Sequence, residues 1–335
     1  MTINLKIEKL IYGGLGAGFV DRLPVFVPMT VPGDEVECEI VRKHKGYAEG
    51  RAIKIVAASP NRVTPKCEYV GSCGGCQWQH LDYATQILWK ELILEEQLTR
   101  IGKIREPNVL PTIPSPKIWN YRGRVKLHRD DQGRSGFYAM GTNELVEIED
   151  CLIAGKDCLR SGDEDPVFTQ VNPAQNENLK ALVAGIVKEL KASKVLELYC
   201  GNGNLTFPIA KAVDFVEAGD ADKRAIGNAK ATAQELAVKN VEFLGLSASA
   251  MLRAFLKAGK KADTVLVDPP RDGCKDILSD LVKIAPKNII YVSCNPSTLA
   301  RDIKTLSESG YKLRSSQPID MFPQTFHIES VSVLI

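Results

Sequence analysis

After about Phe168 the chain alternates short apolar runs with stretches of helical spacing. "KVLELY", "FVEAGD", "NVEFLG", "DTVLVD" and "NIIYVS" follow one another in this way. Such alternation predicts a doubly wound, mainly parallel sheet over residues 166–335. The first 57 residues follow a different rule. Short extended runs are broken by "GGLGAG", Pro32-Gly33-Asp34 and Gly46, which predicts a small β-barrel. Between them, residues 58–165 form a central segment. From Asp82 to Lys103, Ala84, Ile87, Leu88, Leu92, Leu98 and Ile101 fall mostly on one helical face, and Gly102 stops the helix. Pro107, Pro111, Pro114 and Pro116 mark a linker, after which "NYRGRVKLHRDDQGRSGFYAMGTNELVEIEDCLI" reads as β-like.

The 335 residues are 44% hydrophobic and 25% charged, as expected of a globular protein with a substantial core. No apolar run reaches the roughly 20 residues that span a bilayer, and "MTINLKIEKL" is not a signal peptide, so a cytoplasmic monomer without membrane contact is expected. With a net charge of +2, any RNA contact must come from local basic patches. Arg42, Lys43, His44, Lys45 and Arg51, with Tyr47 among them, suit a solvated hairpin as well as an RNA-binding surface; Arg122, Arg124, Lys126, His128 and Arg129 crowd one later segment. Nine cysteines are an odd count for a disulfide framework and point to metal binding or thiol chemistry.

"VLELYCGNGNLTFPIA" is a buried strand entering a Gly-x-Gly turn and then a helix. Gly201 and Gly203 let the backbone approach a ligand closely. Asp220, at the end of the following strand, is placed to accept hydrogen bonds from ribose hydroxyls. The third glycine of a pyrophosphate fingerprint is replaced by Leu205 and Thr206, which favours S-adenosylmethionine over a dinucleotide. In "VLVDPPR" the double proline fixes an extended loop that holds Asp268 at the carboxyl edge of the sheet. Amino-group methyltransferases carry an aromatic residue after a related loop, where this chain has Arg271.

"YVSCNPSTLA" ends a strand on a thiol, Cys294, immediately before Asn295-Pro296 and a helix. A lone cysteine is often buried and inert. At the carboxyl end of a strand, with a helix amino terminus to favour its thiolate, this one reads as a nucleophile. Carbon 5 of uracil is a target that needs such a group, because it attacks a methyl sulfonium only after a thiolate has added to carbon 6. Glu329, in "DMFPQTFHIES" with His327 two residues earlier, is the candidate base for the final proton. Separately, Cys67, Cys73 and Cys76 in "CEYVGSCGGCQWQH" suit a thiolate site for zinc or an iron–sulfur cluster, although zinc sites more often show two close pairs.

Through "VLELYCGNGNLTFPIA", "DPPR", "YVSCNPSTLARD", "DMFPQTFHIES" and the upstream "FTQVNPAQN", the chain resembles the RNA uracil-5-methyltransferase family over nearly its whole length. Its RumA-type 23S ribosomal RNA members are the most similar. The resemblance implies a class I methyltransferase domain behind a TRAM-type, OB-like RNA-binding barrel and a central α+β cluster-binding domain. It implies Cys294 as nucleophile and Glu329 as base, with cofactor contacts at Gln170, Tyr199, Gly201, Asn204, Asp220 and Asp268. Phe168 and Gln170 would lie at the target base. It also implies a 4Fe–4S cluster on Cys67, Cys73, Cys76 and a fourth ligand, Cys151, leaving Cys38, Cys158, Cys200 and Cys274 as bystanders. Two departures stand out. Ser247 replaces an asparagine cofactor contact, and the segment between Cys151 and Phe168 is much shorter than usual.

The expected activity is S-adenosylmethionine-dependent 5-methyluridine formation in 23S ribosomal RNA. The alternatives are the same reaction in the T-loop of transfer RNA, amino-group methylation, and a non-catalytic RNA-binding or assembly factor.

Overall fold

The computed structural model describes residues 2–161 and 170–335. They divide into two compact units: Met1–Ile93, Ser115–Glu164 and Phe322–His327 form the first, and Leu94–Pro114, Asp165–Met321 and Ile328–Ile335 the second. Residues 1–57 and most of the expected central segment therefore share one unit.

In the first unit a six-stranded sheet has the spatial order Thr2–Lys6, Glu35–Lys43, Ala48–Ala57, Leu23–Val27, Gly16–Val20, Lys9–Leu10. Alternation along these strands buries Leu5, Val25, Val27, Val36 and Cys38 on one side. Cys38 is thus a core residue. Asp34, in the predicted turn, is fully buried and accepts hydrogen bonds from the amides of Val31 (2.7 Å) and Ser59 (2.9 Å) and from Arg62 Nη2 (2.5 Å). Burial works to raise its pKa, but Arg62 and the two amides outweigh burial and hold the carboxyl below its ordinary value.

The helix runs from Tyr83 to Arg100 on a different face from the one its apolar residues predict. Leu88 and Ile101 are exposed, while Gln86 and Lys90 are buried beside Ile93, Leu94 and Leu98. Hydrogen bonding explains the rotation. Gln86 Nε2 donates to the carbonyls of Trp78 and Leu81, and Lys90 Nζ donates to the carbonyl of Phe322 at 3.0 Å. Strands Arg122–Lys126 and Ala154–Ser161 pair in parallel, and His128–Arg129, Ser135–Tyr138 and Leu145–Glu147 form a small antiparallel sheet.

The second unit is built on seven strands: β1 Lys194–Leu198, β2 Phe215–Gly219, β3 Val241–Leu244, β4 Thr264–Val267, β5 Asn288–Ser293, β6 Leu313–Ile319 and β7 Glu329–Leu334. Their order is β3-β2-β1-β4-β5-β7-β6. Strands β1 to β5 are parallel, and β7 inserts antiparallel to β5 and β6. Helices α1 Pro173–Glu189, α2 Thr206–Ala210, α3 Lys223–Glu235, α4 Ala248–Lys257, α5 Leu278–Ile284 and α6 Pro296–Glu308 alternate with them. This is the doubly wound sheet expected from the apolar runs. Leu196, Leu198, Val265, Val267, Ile289 and Tyr291 belong to one core cluster with Leu94 and Leu98. Among the described residues no helix is long and apolar enough to cross a membrane.

Replacing Arg62 by Met leaves the Asp34 carboxylate buried without its cation and is expected to destabilise the first unit by about 3–5 kcal/mol at neutral pH. Because the folded pKa of Asp34 is depressed, this contribution is present above the unfolded value near 4 and is lost as pH falls. The difference between wild type and Arg62→Met in chemical denaturation should therefore shrink in acid.

Candidate functional site

Strand register assembles the site. Leu198 pairs with Gly219 and with Val267, and Val267 pairs with Tyr291. Because these strands are parallel, Tyr199, Asp220, Asp268 and Cys294, each just past its strand, emerge at one carboxyl edge. Strand β7 runs the other way. Its Ser330 pairs with Ser293, so Glu329 begins β7 beside the end of β5, where Cys294 follows. Asn295 caps α6 by accepting the Ser297 amide at 3.1 Å, and Pro296 sits in the first turn, where no amide is required. The proline that ends the strand thus starts the helix.

Cys294 is half-buried, and burial pushes its thiol up to about 11, with the Glu329 and Asp268 charges acting in the same direction and Arg271 opposing them. The helix amino terminus was expected to favour the thiolate. Desolvation and two facing carboxyls dominate instead. Glu329 is 5% exposed, and burial, followed by the charge of Asp268, raises its carboxyl well above the usual range against the pull of Arg271. Burial brings Asp268 to about 7. Arg271 is the cation common to Cys294 and Glu329.

The Gly-x-Gly turn is held by the protein itself. Tyr199 adopts φ +64°, a left-handed conformation costing about 1–2 kcal/mol outside glycine. The Cys200 amide bonds to the Gly219 carbonyl at 3.1 Å, and the Gly201 amide to Asp220 Oδ2 at 2.9 Å. Asp220 Oδ1 accepts from the Asp222 amide at 2.8 Å. Gly203 has φ +88°, and a Cβ there would lie 2.6 Å from the Phe207 ring. Asp220 therefore fixes the turn.

Asn204 and Asn176 exchange two side-chain hydrogen bonds, each 2.9 Å. Asn176 was invisible in the sequence, where it reads as an ordinary polar position of α1. Its partner lies 28 residues away. Ser247 caps α4 through the Ala250 amide. Gln170 is half-buried and irregular, and Phe168 lies outside the described residues. Glu197 carries no signal in the sequence. This β1 residue is 2% exposed, and its Oε2 has no hydrogen-bond partner among the described residues. Burial, with Asp268 and Asp220 adding to it, lifts Glu197 to about 8.

In the first unit Cys67, Cys73, Cys76 and Cys151 line one cavity of about 60 Å³, together with Tyr69, Gln79 and Arg122. The Gly75 amide donates to Cys73 Sγ at 3.4 Å. Burial raises the Cys73 thiol and brings that of Cys76 to about 11. Among the described residues no group of three or more His, Cys, Asp or Glu side chains is arranged to hold a metal ion. Arg122, one of the expected surface cations, belongs to the wall of this cavity. Cys200 and Cys274 are buried in the second unit.

Residues 142–335 match the family described as tRNA (Uracil-5-)-methyltransferase, and residues 1–53 match the TRAM domain. An uncharacterized RNA methyltransferase of Aquifex aeolicus is 32% identical, with 99% of this chain and 98% of that protein covered. One from Bdellovibrio bacteriovorus is also 32% identical, covering 99% and 94%. These alignments run over 419 and 377 positions against 335 residues, so the relatives carry extra segments. Among solved structures, Pyrococcus abyssi tRNA (uracil-54, C5)-methyltransferase in complex with S-adenosyl-L-homocysteine superposes with a TM-score of 0.73. It has 25% identity and covers 99% of this chain and 100% of its own.

The raised carboxyl of Glu197 gives a stability test. Its folded pKa of about 8 exceeds the unfolded value of 4.5, so its contribution is present below the unfolded value and is lost as pH rises through about 8. Glu197→Gln should match wild type near pH 5 and melt a few degrees higher near pH 9, a gain of about 1 kcal/mol or more. Calorimetry at the two pH values checks this.

Proposed function

The chain belongs to the tRNA (uracil-5-)-methyltransferase family and carries a TRAM domain; from that premise we propose that it makes 5-methyluridine in structured RNA with S-adenosylmethionine as methyl donor. The observation that carries this reading is the placement of Cys294 and Glu329 on neighbouring strands at the carboxyl edge that also bears the Gly-x-Gly turn. An amino-group methyltransferase has no use for that pair.

The target base leaves its stack to enter the site. Cys294 releases its proton to solvent, which Arg271 favours, and its sulfur adds to carbon 6 of the uracil. The electron pair of the 5,6 double bond moves onto carbon 5 and oxygen 4 as an enolate. Carbon 5 then takes the methyl group from the donor sulfonium, leaving a neutral thioether. Glu329, as carboxylate, removes the remaining hydrogen from carbon 5. The double bond re-forms and the Cys294 thiolate is expelled. Asp220 and Tyr199 would border the cofactor, and Gln170 and Phe168 the base.

The four cysteines suit a 4Fe–4S cluster better than one zinc ion. They line one cavity as three near cysteines and one remote, an amide donates to one sulfur, and Arg122 offers a cation to a negative cluster. When bound, the cluster would brace the loop from Cys67 to Cys76 and the surface that meets RNA, with no redox duty. For the RNA itself, the family resemblance supports 23S ribosomal RNA. The full-length likeness to an enzyme named for uracil-54 of tRNA supports transfer RNA as a second reading.

With 5-fluorouridine RNA the wild type should form a covalent complex resolved by denaturing gel, and Cys294→Ala should form none. Glu329→Gln should methylate ordinary RNA yet remain attached to it, with turnover down at least about 100-fold. An adduct on Cys294→Ala, or normal turnover by Glu329→Gln, would contradict the assignment. Anaerobically purified protein should be brown with about four irons per chain, and Cys76→Ser should lose both colour and thermal stability. Stoichiometric zinc without iron would contradict the cluster.

A further inference from the structure

The "STLARD" half of the Cys294 motif lies in α6, and the mechanism makes no use of it. Asp302, in the middle of that helix, is fully buried, and its carboxylate is saturated with donors. Oδ2 accepts from the Tyr291 hydroxyl and from the Cys274 amide, each at 2.8 Å. Oδ1 accepts from Arg301 Nε at 2.8 Å, and Arg301 Nη2 reaches on to the Asp272 carbonyl at 2.8 Å. Two further bonds tie the same loop to the start of α6. Asn295 Nδ2 and Thr298 Oγ1 both donate to the Arg271 carbonyl at 3.0 Å. Gly273 completes the fit. Its φ is +74°, and a Cβ there would lie 2.5 Å from Asp302 Oδ2 and 2.7 Å from Arg301 Nη2.

Apart from the Arg301–Asp302 pair inside α6, each of these bonds ends on the segment from Arg271 to Cys274 or on the strand, β5, that delivers Cys294. A helix has no need to spend a buried carboxylate on a neighbouring loop merely to be stable, since such a group costs several kcal/mol to desolvate. What the clamp does hold is Arg271. We propose that Asp302 is a positioning residue for the methyl transfer: with Arg301 and Thr298 it locks the Arg271–Cys274 loop to α6, so that the Arg271 guanidinium faces Cys294 and Glu329. The inference rests on the reading of Cys294 as nucleophile. The groups facing Cys294 are Arg271 and Asp268 from the loop after β4 and Glu329 from β7. Arg271 is the cation of the three, and moving it away leaves two carboxyls opposing the thiolate.

The test uses iodoacetamide alkylation of Cys294, followed by peptide mass spectrometry across pH, on the full chain. Asp302→Asn should slow alkylation about tenfold at pH 8 and move its pH profile upward, and Arg271→Ala should do the same. If Asp302 acts through Arg271, the double variant will be no slower than Arg271→Ala alone. Thr298→Val, which removes one clamp bond near the surface, should slow alkylation less, about threefold, and Thr298→Ser should restore it. This pair keeps the proposal testable if Asp302→Asn fails to fold. Additive effects in the double variant, or an unchanged profile in a folded Asp302→Asn or Thr298→Val, would overturn the clamp. The adduct on 5-fluorouridine RNA is scored in parallel on wild type. A wild-type adduct with unmoved alkylation profiles refutes the clamp alone. Shifted profiles with no wild-type adduct refute the nucleophile and leave the clamp standing.

Discussion

The account depends on one constraint of sheet geometry, the antiparallel insertion of β7 between β5 and β6. Five parallel strands deliver their successors to one edge, and that alone gathers Tyr199, Asp220, Asp268 and Cys294. The proposed mechanism also needs a base beside Cys294. The Ser293–Ser330 pairing brings Glu329 back to the same edge from the far end of the sequence. A register slip of one residue would turn Glu329 to the opposite face of the sheet. The chemistry is therefore specified by backbone hydrogen bonds as much as by side chains.

Burying that pair has an electrostatic consequence. Cys294, Glu329 and Asp268 all hold their protons more tightly than they would in water, with burial as the leading cause for each. At rest the site is a thiol facing carboxyl groups, with Arg271 as counterweight. A positively charged methyl donor would act in the same sense as Arg271 and ease the thiol towards its reactive form. Reactivity would then follow cofactor binding, which protects the half-buried thiol from adventitious alkylation or oxidation.

What the sequence revealed was mostly local. Apolar runs ended by Gly-x-Gly, Pro-Pro and Asn-Pro mark the strands, the turn after β1 and the position of Cys294, because each signal sits within a few residues of the feature it controls. What it concealed was long-range. Asn176 pairs with Asn204, and Gln86 and Lys90 turn an apolar-looking helix onto a polar buried face to reach Gln324 and Phe322. The thiol of Cys294 was misjudged for the same reason. The helix behind it is visible in sequence, whereas the carboxyls in front arrive from two other strands. Phe168 belongs to residues about which the structure says nothing.

The cysteine cavity illustrates the same division. Spacing marks Cys67, Cys73 and Cys76, but the place of Arg122 in the cavity wall is hidden among the other basic residues crowded on its segment.

The most direct test of the central claim is nucleoside mass spectrometry after incubating the protein and labelled S-adenosylmethionine with unmodified ribosomal and transfer RNA transcripts. The account predicts label in 5-methyluridine, in ribosomal RNA on the first reading and in transfer RNA on the second. Label on an exocyclic amino group, or none on any uridine while cofactor is bound, would contradict it.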